Sequence, residues 1–132
     1  MTATVNQSKR YKVTPVYAEN WKALVNSGKR YIVNSGGSRS GKTYSIVQVL
    51  ITWANTNPKQ KITIVSRSLP HLKSGAMRDF LEIMDNWGLY TETQHNKTDH
   101  IYTFRNKSYI EFVGLEDPDK ARGPGRDVLY VN

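Results

Sequence analysis

The feature that most constrains the fold is the segment at residues 36–43, which reads Gly-Gly-Ser-Arg-Ser-Gly-Lys-Thr. It fits the pattern G-x-x-x-x-G-K-[ST], in which glycines let successive backbone N–H groups turn toward a phosphate. An apolar run at Tyr31, Ile32 and Val33 precedes the segment, and an amphipathic helical pattern follows it. Because a helix N-terminus favours an anion, this strand, loop and helix together predict a nucleotide-binding site. The alternative is a chance match in a glycine- and serine-rich linker.

The residue types in the segment suggest individual roles. Lys42 is expected to reach the β- and γ-phosphates, and the hydroxyl of Thr43 is expected to ligate Mg²⁺. The remaining nucleotide-binding positions are Gly36, Gly37, Ser38, Arg39, Ser40 and Gly41.

Composition limits the classes of protein that fit. The 132 residues suffice for one domain with a modest core. Lys and Arg total 19 against 11 acidic residues, a net charge of +8. That balance favours a polyanionic partner such as nucleic acid, although a merely soluble basic surface explains it equally well. The absence of cysteine excludes disulfides and thiolate zinc sites, and no apolar run is long enough to span a bilayer.

The pattern along the chain predicts alternating strands and helices. Residues 1–14 lack periodicity and are expected to form a flexible basic arm, and Tyr17 and Trp21 fall on one face of a short helix. Strands are predicted at residues 30–34 and 61–66, each followed by a helix, the first of which ends at Asn57-Pro58. This β-α-β alternation predicts a mostly parallel sheet flanked by helices.

The second half of the chain adds a predicted β-hairpin. Residues 101–104 and 109–113 alternate aromatic and β-branched side chains around a polar turn at 105–108. A polar loop at residues 116–126 then leads to a last strand, Val128 to Val131, followed by Asn132. In phosphate-loop ATPases a second apolar strand ends in a carboxylate that holds Mg²⁺ through water. Asn132 occupies that position here; a plain strand-end residue is the other interpretation.

Other polar groups carry weaker signals. His71, His95 and His100 have no spacing suited to a metal, and we interpret them as ordinary surface or partly buried residues. The acidic residues of the second helix, Asp79, Glu82 and Asp85, could suggest paired carboxylates, but helical spacing places them largely on the polar face, and we predict a solvated helix face.

Three segments carry a resemblance to a known family. They are the loop at residues 36–43 with an arginine inside it, the stretch Arg-Ser-Leu-Pro-His-Leu-Lys at 67–73, and residues 121–132, which read Ala-Arg-Gly-Pro-Gly-Arg-Asp-Val-Leu-Tyr-Val-Asn. From about residue 15 onward the sequence resembles the large subunit of tailed-phage terminases. The resemblance implies an α/β phosphate-loop NTPase of the ASCE type, with residues 15–132 forming the N-terminal part of its ATPase domain. The strand ending at Asn132 would be the Walker B strand, and the fold would be incomplete at the C-terminus, without the family's nuclease domain.

The same resemblance implies further site residues. Arg39 would sense or stabilise the γ-phosphate, and Arg122 would contact DNA or the nucleotide of a neighbouring subunit. Tyr17 and Trp21 would lie where the adenine is bound, and Asn132 would contact Mg²⁺ through water. A solvated loop for the arginines and a core face for the aromatic residues are the alternatives.

The function implied by the resemblance is that of a viral DNA-packaging motor. Its intact form would use ATP and Mg²⁺ to move double-stranded DNA into a procapsid in the cytoplasm of the bacterial host. Portal protein, terminase small subunit and a ring of like subunits would be its partners. The catalytic glutamate that follows the Walker B strand in the family lies beyond Asn132, so we expect this chain to hydrolyse ATP weakly or not at all. A helicase-like ATPase, a kinase, or an inert nucleotide- or DNA-binding fragment are the competing hypotheses.

Overall fold

A computed structural model describes the backbone of residues 31–33 and all atoms of residues 42–116 and 126–132. In this part of the chain, helices and strands alternate around a single mixed sheet. The strands are β1 (Tyr31–Val33), β2 (Lys61–Ser66), β3 (His95–Asn96), β4 (Ile101–Thr103), β5 (Tyr109–Gly114) and β6 (Val128–Val131). The helices are α1 (Lys42–Thr56), α2 (Leu69–Ser74) and α3 (Ala76–Asn86), and a 3-10 turn spans Glu92–Gln94.

The sheet is six-stranded and has the order β1-β6-β2-β5-β4-β3. The neighbours β1, β6, β2 and β5 run parallel, whereas β4 and β3 are added antiparallel at one side. The register places Ile64 of β2 opposite Tyr130 of β6 and Phe112 of β5. The last strand in sequence therefore lies between the first two, which brings the end of β6 next to the ends of β1 and β2.

Helix α1 is buried on every side over about half of its length. All residues from 45 to 51 are buried, including the polar Ser45 and Gln48. A helix that is covered all round belongs to the interior of a fold and not to its surface. The helix ends at Thr56, directly before the predicted stop at Asn57-Pro58, and Asn57 N still donates to Trp53 O across 2.9 Å.

Helix α3 forms the other half of the core. Its apolar residues recur at helical spacing, and Phe80, Ile83 and Met84 are completely buried. The ring of Phe80 packs edge-on against Tyr102 and Phe112, with centroids 5.6 Å and 5.3 Å apart. Since aromatic rings prefer this edge-to-face arrangement, the contact fixes α3 across β4 and β5.

The predicted hairpin is present and is closed by backbone hydrogen bonds. Phe104 N donates to Ser108 O across 2.7 Å, and Lys107 N donates to Phe104 O across 3.0 Å. Asn106 anchors the turn to α1, because its Nδ2 donates to Ala54 O across 2.8 Å. Lys107 adopts a left-handed φ of 72°, as one residue of a tight turn commonly does.

The predicted α/β fold with a mostly parallel sheet and an added hairpin is confirmed. The sequence prediction omitted helix α2, strand β3 and the 3-10 turn, all of which are short. The predicted arm at residues 1–14 and the predicted helix with Tyr17 and Trp21 lie outside the described residues. In the described ranges, no helix combines the length and the apolar character needed to cross a membrane.

Candidate functional site

The site lies where the parallel strands end. Ligands of open α/β sheets bind outside the carboxyl ends of the strands, beside the N-terminus of the following helix. Here α1 begins at Lys42, directly after the phosphate-loop segment, and Asn132 follows the end of β6. Asn132 N donates to Val65 O across 2.9 Å, so the parallel pairing of β6 with β2 continues up to the site.

Three side chains meet at this end of the sheet. Thr43 Oγ1 donates a hydrogen bond to Asn132 Oδ1 across 3.2 Å. The hydroxyl of Tyr130 lies 3.2 Å from the same Oδ1 and 3.5 Å from Thr43 Oγ1. The side chain at the start of α1 is thereby joined to the one at the end of β6.

Tyr130 is the most deeply buried member of this group, with only 1% of its surface exposed. Burial raises the pKa of its phenol, and the charge of Asp79 acts in the same direction, while the hydrogen bond with Thr43 opposes them. The phenol therefore keeps its proton at neutral pH and remains a hydrogen-bond donor inside the site.

The donor atoms fit a hard divalent cation. Mg²⁺ is bound by oxygen atoms, usually with several waters and nucleotide phosphates completing its shell. The hydroxyl oxygen of Thr43 is of this type, and Thr43 is partly open to solvent, whereas the amide oxygen of Asn132 already accepts the proton of Thr43. Because the proton of Thr43 is directed to Asn132 and the contact from the Tyr130 hydroxyl is long, at 3.5 Å, a lone pair of the Thr43 oxygen remains for a cation.

Helix α2 forms a wall beside Asn132. A Cβ on Gly75 would lie 3.1 Å from His71 O and 3.9 Å from Asn132 Nδ2, so the backbone at the end of α2 passes close to the amide. Inside α2, His71 Nδ1 is within hydrogen-bond distance of the buried Ser66 hydroxyl at the end of β2. These contacts hold α2 against the carboxyl end of β2.

The N-terminus of α2 is satisfied by two side-chain oxygens. Ser68 Oγ accepts from His71 N across 3.2 Å, and Glu116 Oε1 accepts from Leu69 N across 2.7 Å. Such capping removes two of the unpaired N–H groups that open every helix. The wall beside Asn132 is therefore a fixed part of the fold.

The structure brings Thr43 and Asn132 into contact, and Lys42 is the first residue of α1, directly before Thr43. The other predicted site residues lie outside the described part of the chain. They are Gly36, Gly37, Ser38, Arg39, Ser40, Gly41, Tyr17, Trp21 and Arg122.

Sequence reasoning missed Tyr130 as a member of the site. The signal was available, because residues two apart on a strand face the same side and Tyr130 precedes Asn132 by two. It also missed helix α2, although Ser68 followed by a proline in the first turn is a typical helix start.

The acidic residues of α3 do not all behave as predicted. Glu82 and Asp85 are exposed, but the side chain of Asp79 retains only 14% of its surface. Burial raises the pKa of this carboxyl group, and the nearby Arg78 only partly offsets the effect. The prediction of a solvated position is therefore wrong for Asp79, since helix packing covers it.

The side chains of His71, His95 and His100 are partly buried. Tyr90 and His95 are hydrogen-bonded through Nδ1 at 2.8 Å, and burial lowers the pKa of His95. Within residues 42–116 and 126–132, no cluster of three or more His, Asp or Glu side chains could hold a metal.

Comparison with known proteins assigns the family. The sequence model described as "Phage terminase large subunit" matches residues 28–123, which include the phosphate-loop segment and most of the described fold. This chain belongs to the phage terminase large subunit family. None of the curated proteins matches the chain by sequence.

Solved terminases share the fold of this terminase chain. A structure of the large terminase from a thermophilic bacteriophage superposes with a TM-score of 0.72 at 17% identity, covering 92% of this chain and 32% of that one. A second structure of that protein, in complex with ADP, gives a TM-score of 0.65 at 14% identity with the same coverage. The chain thus spans about a third of the solved terminases' length.

Proposed function

We propose that this terminase chain binds ATP together with Mg²⁺ at the carboxyl end of its parallel sheet. The observation that carries the proposal is the hydrogen bond between Thr43 at the start of α1 and Asn132 at the end of β6. It unites the last residue of the phosphate-loop pattern with the strand end at which phosphate-loop ATPases hold their metal. A solved relative in complex with ADP supports the same choice of ligand.

Each residue of the site would have a different role in binding the triphosphate. Lys42 supplies a positive charge for the β- and γ-phosphates, and the N-terminus of α1 adds its positive end to the same anion. Thr43 contributes an oxygen to the cation, and Asn132 orients that oxygen by accepting its proton. Mg²⁺, when bound, neutralises charge on the phosphate oxygens. Arg39 is proposed to stabilise the γ-phosphate.

We further propose that the family protein of which this chain represents a part uses the nucleotide to package DNA. Membership in the terminase family and the net charge of +8 support a double-stranded DNA partner. Arg122 is the proposed contact to DNA or to a neighbouring subunit's nucleotide, and Tyr17 and Trp21 are the proposed adenine contacts. Assembly into a ring with portal protein and small subunit, in the cytoplasm of the bacterial host, completes the proposal.

Calorimetric titration of the purified chain with ATP, with Mg²⁺ and with EDTA, tests nucleotide binding. The wild-type chain should bind ATP, more tightly with Mg²⁺, and Lys42→Ala should abolish the binding. Lys97→Ala is the matched control, because Lys97 is exposed and its described contact is a long one, to Glu92 at 3.5 Å. This control should bind as the wild type does.

Phosphate release, recorded in the same samples, separates binding from turnover. Binding with little release supports a nucleotide-binding part of the motor, and loss of ATP without free phosphate in the presence of an acceptor would instead indicate a kinase. A chain that is folded by circular dichroism and binds no ATP would contradict the proposal.

A further inference from the structure

The candidate metal-binding position at the end of β6 is occupied by an amide, Asn132, whose two ends differ in a way that the two oxygens of a carboxylate do not. The side-chain amide of Asn132 has one end that accepts hydrogen bonds, Oδ1, and one that only donates, Nδ2. A carboxylate presents two equivalent oxygens. With an asparagine at this position, the orientation of the amide decides whether Oδ1 or Nδ2 lies next to Thr43 Oγ1.

The observed orientation of the Asn132 amide leaves the lone pairs of Thr43 Oγ1 available to a ligand. Oδ1 accepts from Thr43 Oγ1 and lies 3.2 Å from the hydroxyl of Tyr130, so a single carbonyl oxygen takes both hydroxyl protons. The Tyr130 hydroxyl lies farther from Thr43 Oγ1, at 3.5 Å, so its proton goes to the nearer Oδ1 and the lone pairs of Thr43 are left to a cation. This is the state in which Thr43 can contribute its oxygen to a cation.

The reversed orientation of the Asn132 amide would occupy the lone pairs of Thr43 Oγ1. Nδ2 would face Thr43 Oγ1 and donate to it, occupying one lone pair. The Tyr130 hydroxyl would no longer have Oδ1 as an acceptor at 3.2 Å. Its proton would turn to the other acceptor in this group, Thr43 Oγ1, at 3.5 Å. Both lone pairs of Thr43 would then be engaged by neighbouring protons.

We propose that Tyr130 is a positioning residue: its buried hydroxyl holds the Asn132 amide with Oδ1 toward Thr43, which keeps the Thr43 oxygen available to the Mg²⁺ of a bound nucleotide. Tyr130 can do this because it is 1% exposed, so water cannot replace Oδ1 as the acceptor of its proton. On the far side, Nδ2 faces Gly75, as its distance of 3.9 Å from the ideal Cβ of that residue indicates. The role assigned to the metal rests on the proposed function.

A double-mutant cycle between Tyr130 and Asn132 tests the inference. Tyr130→Phe removes the hydroxyl that selects one orientation, so the gain in ATP affinity caused by Mg²⁺ should fall about tenfold. Asn132→Asp removes the asymmetry, so adding Tyr130→Phe to that variant should leave the Mg²⁺-dependent gain unchanged. A merely structural role of Tyr130 would produce the same loss in both backgrounds, and that result would overturn the inference.

Tyr109→Phe is the matched control for the loss of one phenolic hydroxyl. Tyr109 opens β5 at the opposite end of the sheet from Asn132. Its substitution should leave the Mg²⁺-dependent gain in affinity as in the wild type, and a tenfold loss there would also overturn the inference. Circular dichroism and urea unfolding establish that each variant is folded.

Nuclear magnetic resonance of the nucleotide-free chain provides a readout that requires no ligand. The side-chain NH₂ signal of Asn132, assigned by its absence from Asn132→Asp, should show cross-relaxation to the Hα protons of Gly75. In Tyr130→Phe this contact should weaken as the amide reverses. Undiminished contact would overturn the role of Tyr130, whereas wild-type protein that shows the contact but binds no ATP would refute only the proposed function.

Discussion

The hydroxyl of Thr43 donates to Asn132 Oδ1 across 3.2 Å, although 89 positions separate the two residues in the chain. The contact exists because β6 is inserted between β1 and β2, which carries its end to the start of α1. Asn132 N donates a hydrogen bond to Val65 O across 2.9 Å, which fixes the position of Asn132 at the carboxyl end of the sheet. The start of α1, which follows the phosphate-loop pattern, is thereby joined to the end of the final strand.

Thr43→Val should remove most of the effect of Mg²⁺ on ATP affinity. Valine has a similar shape but no oxygen for the cation, so we expect a loss of about tenfold or more in the Mg²⁺-dependent gain. Calorimetry with Mg²⁺ and with EDTA measures it. Thr52→Val is the matched control on the same helix, because Thr52 Oγ1 donates to the local carbonyl of Gln48 across 2.9 Å, one turn back along α1. An unchanged Mg²⁺ effect in Thr43→Val would contradict the assignment.

Gly114→Ala should destabilise the fold at the junction of β5 and α2. The added Cβ would lie 2.8 Å from Leu69 N and 3.1 Å from Ser68 C, both backbone atoms that cannot swing away. Overpacking of this kind costs about 1–3 kcal/mol, which urea unfolding would detect. Gly75→Ala is the milder comparison, since its closest backbone contact is at 3.1 Å. Equal stability of Gly114→Ala and the wild type would show that α2 can shift freely.

Phe80→Ala should cause one of the largest losses of stability in the described core. Phe80 is completely buried and touches the rings of both Tyr102 and Phe112. Truncation of a buried phenylalanine removes apolar burial and leaves a cavity, at a cost of about 3–5 kcal/mol. Leu115→Ala is the control, because Leu115 is 53% exposed and should change the free energy of unfolding by no more than about 0.5 kcal/mol. Similar losses in both variants would argue against α3 as half of the core.

Asp79→Asn should raise the thermal unfolding midpoint at pH 7. Burial raises the pKa of Asp79, so the folded state binds its proton more tightly than the unfolded state does. Stability is therefore greatest below the unfolded pKa, near 4, and is lost as the pH rises through the folded pKa. The neutral amide avoids this loss, and its advantage should shrink as the pH falls through the folded pKa and disappear below about 4. A lower midpoint at pH 7 would mean that the contact with Arg78 at 3.5 Å outweighs the burial of the charge.

Elements with a long, repeated pattern could be predicted from the sequence, and short ones could not. Strand β2 is observed at the predicted residues, and α1 and the hairpin agree closely with their predictions. Helix α2 has six residues, too few to show a hydrophobic period, and β3 has two. These short elements are held by contacts from distant parts of the chain, as the bond from Leu69 N to Glu116 illustrates.

Asp79 illustrates the same limit for a single side chain. Its position on α3 can be read from helical spacing, but spacing does not reveal what packs above the helix. Sequence patterns therefore indicated a solvated face where the structure has a carboxyl side chain that is only 14% exposed.

The sequence alone contains the phosphate-loop pattern, predicts the alternation of strands and helices, and names Lys42, Thr43 and Asn132 as candidate site residues. These features depend on local spacing and residue chemistry, which a linear pattern records. Only the tertiary structure decided the strand order, the meeting of Thr43 with Asn132 and the place of Tyr130 between them. The physical reason is that hydrogen bonds between distant residues depend on strand order and register, which emerge only when the sheet and its buried helices pack together.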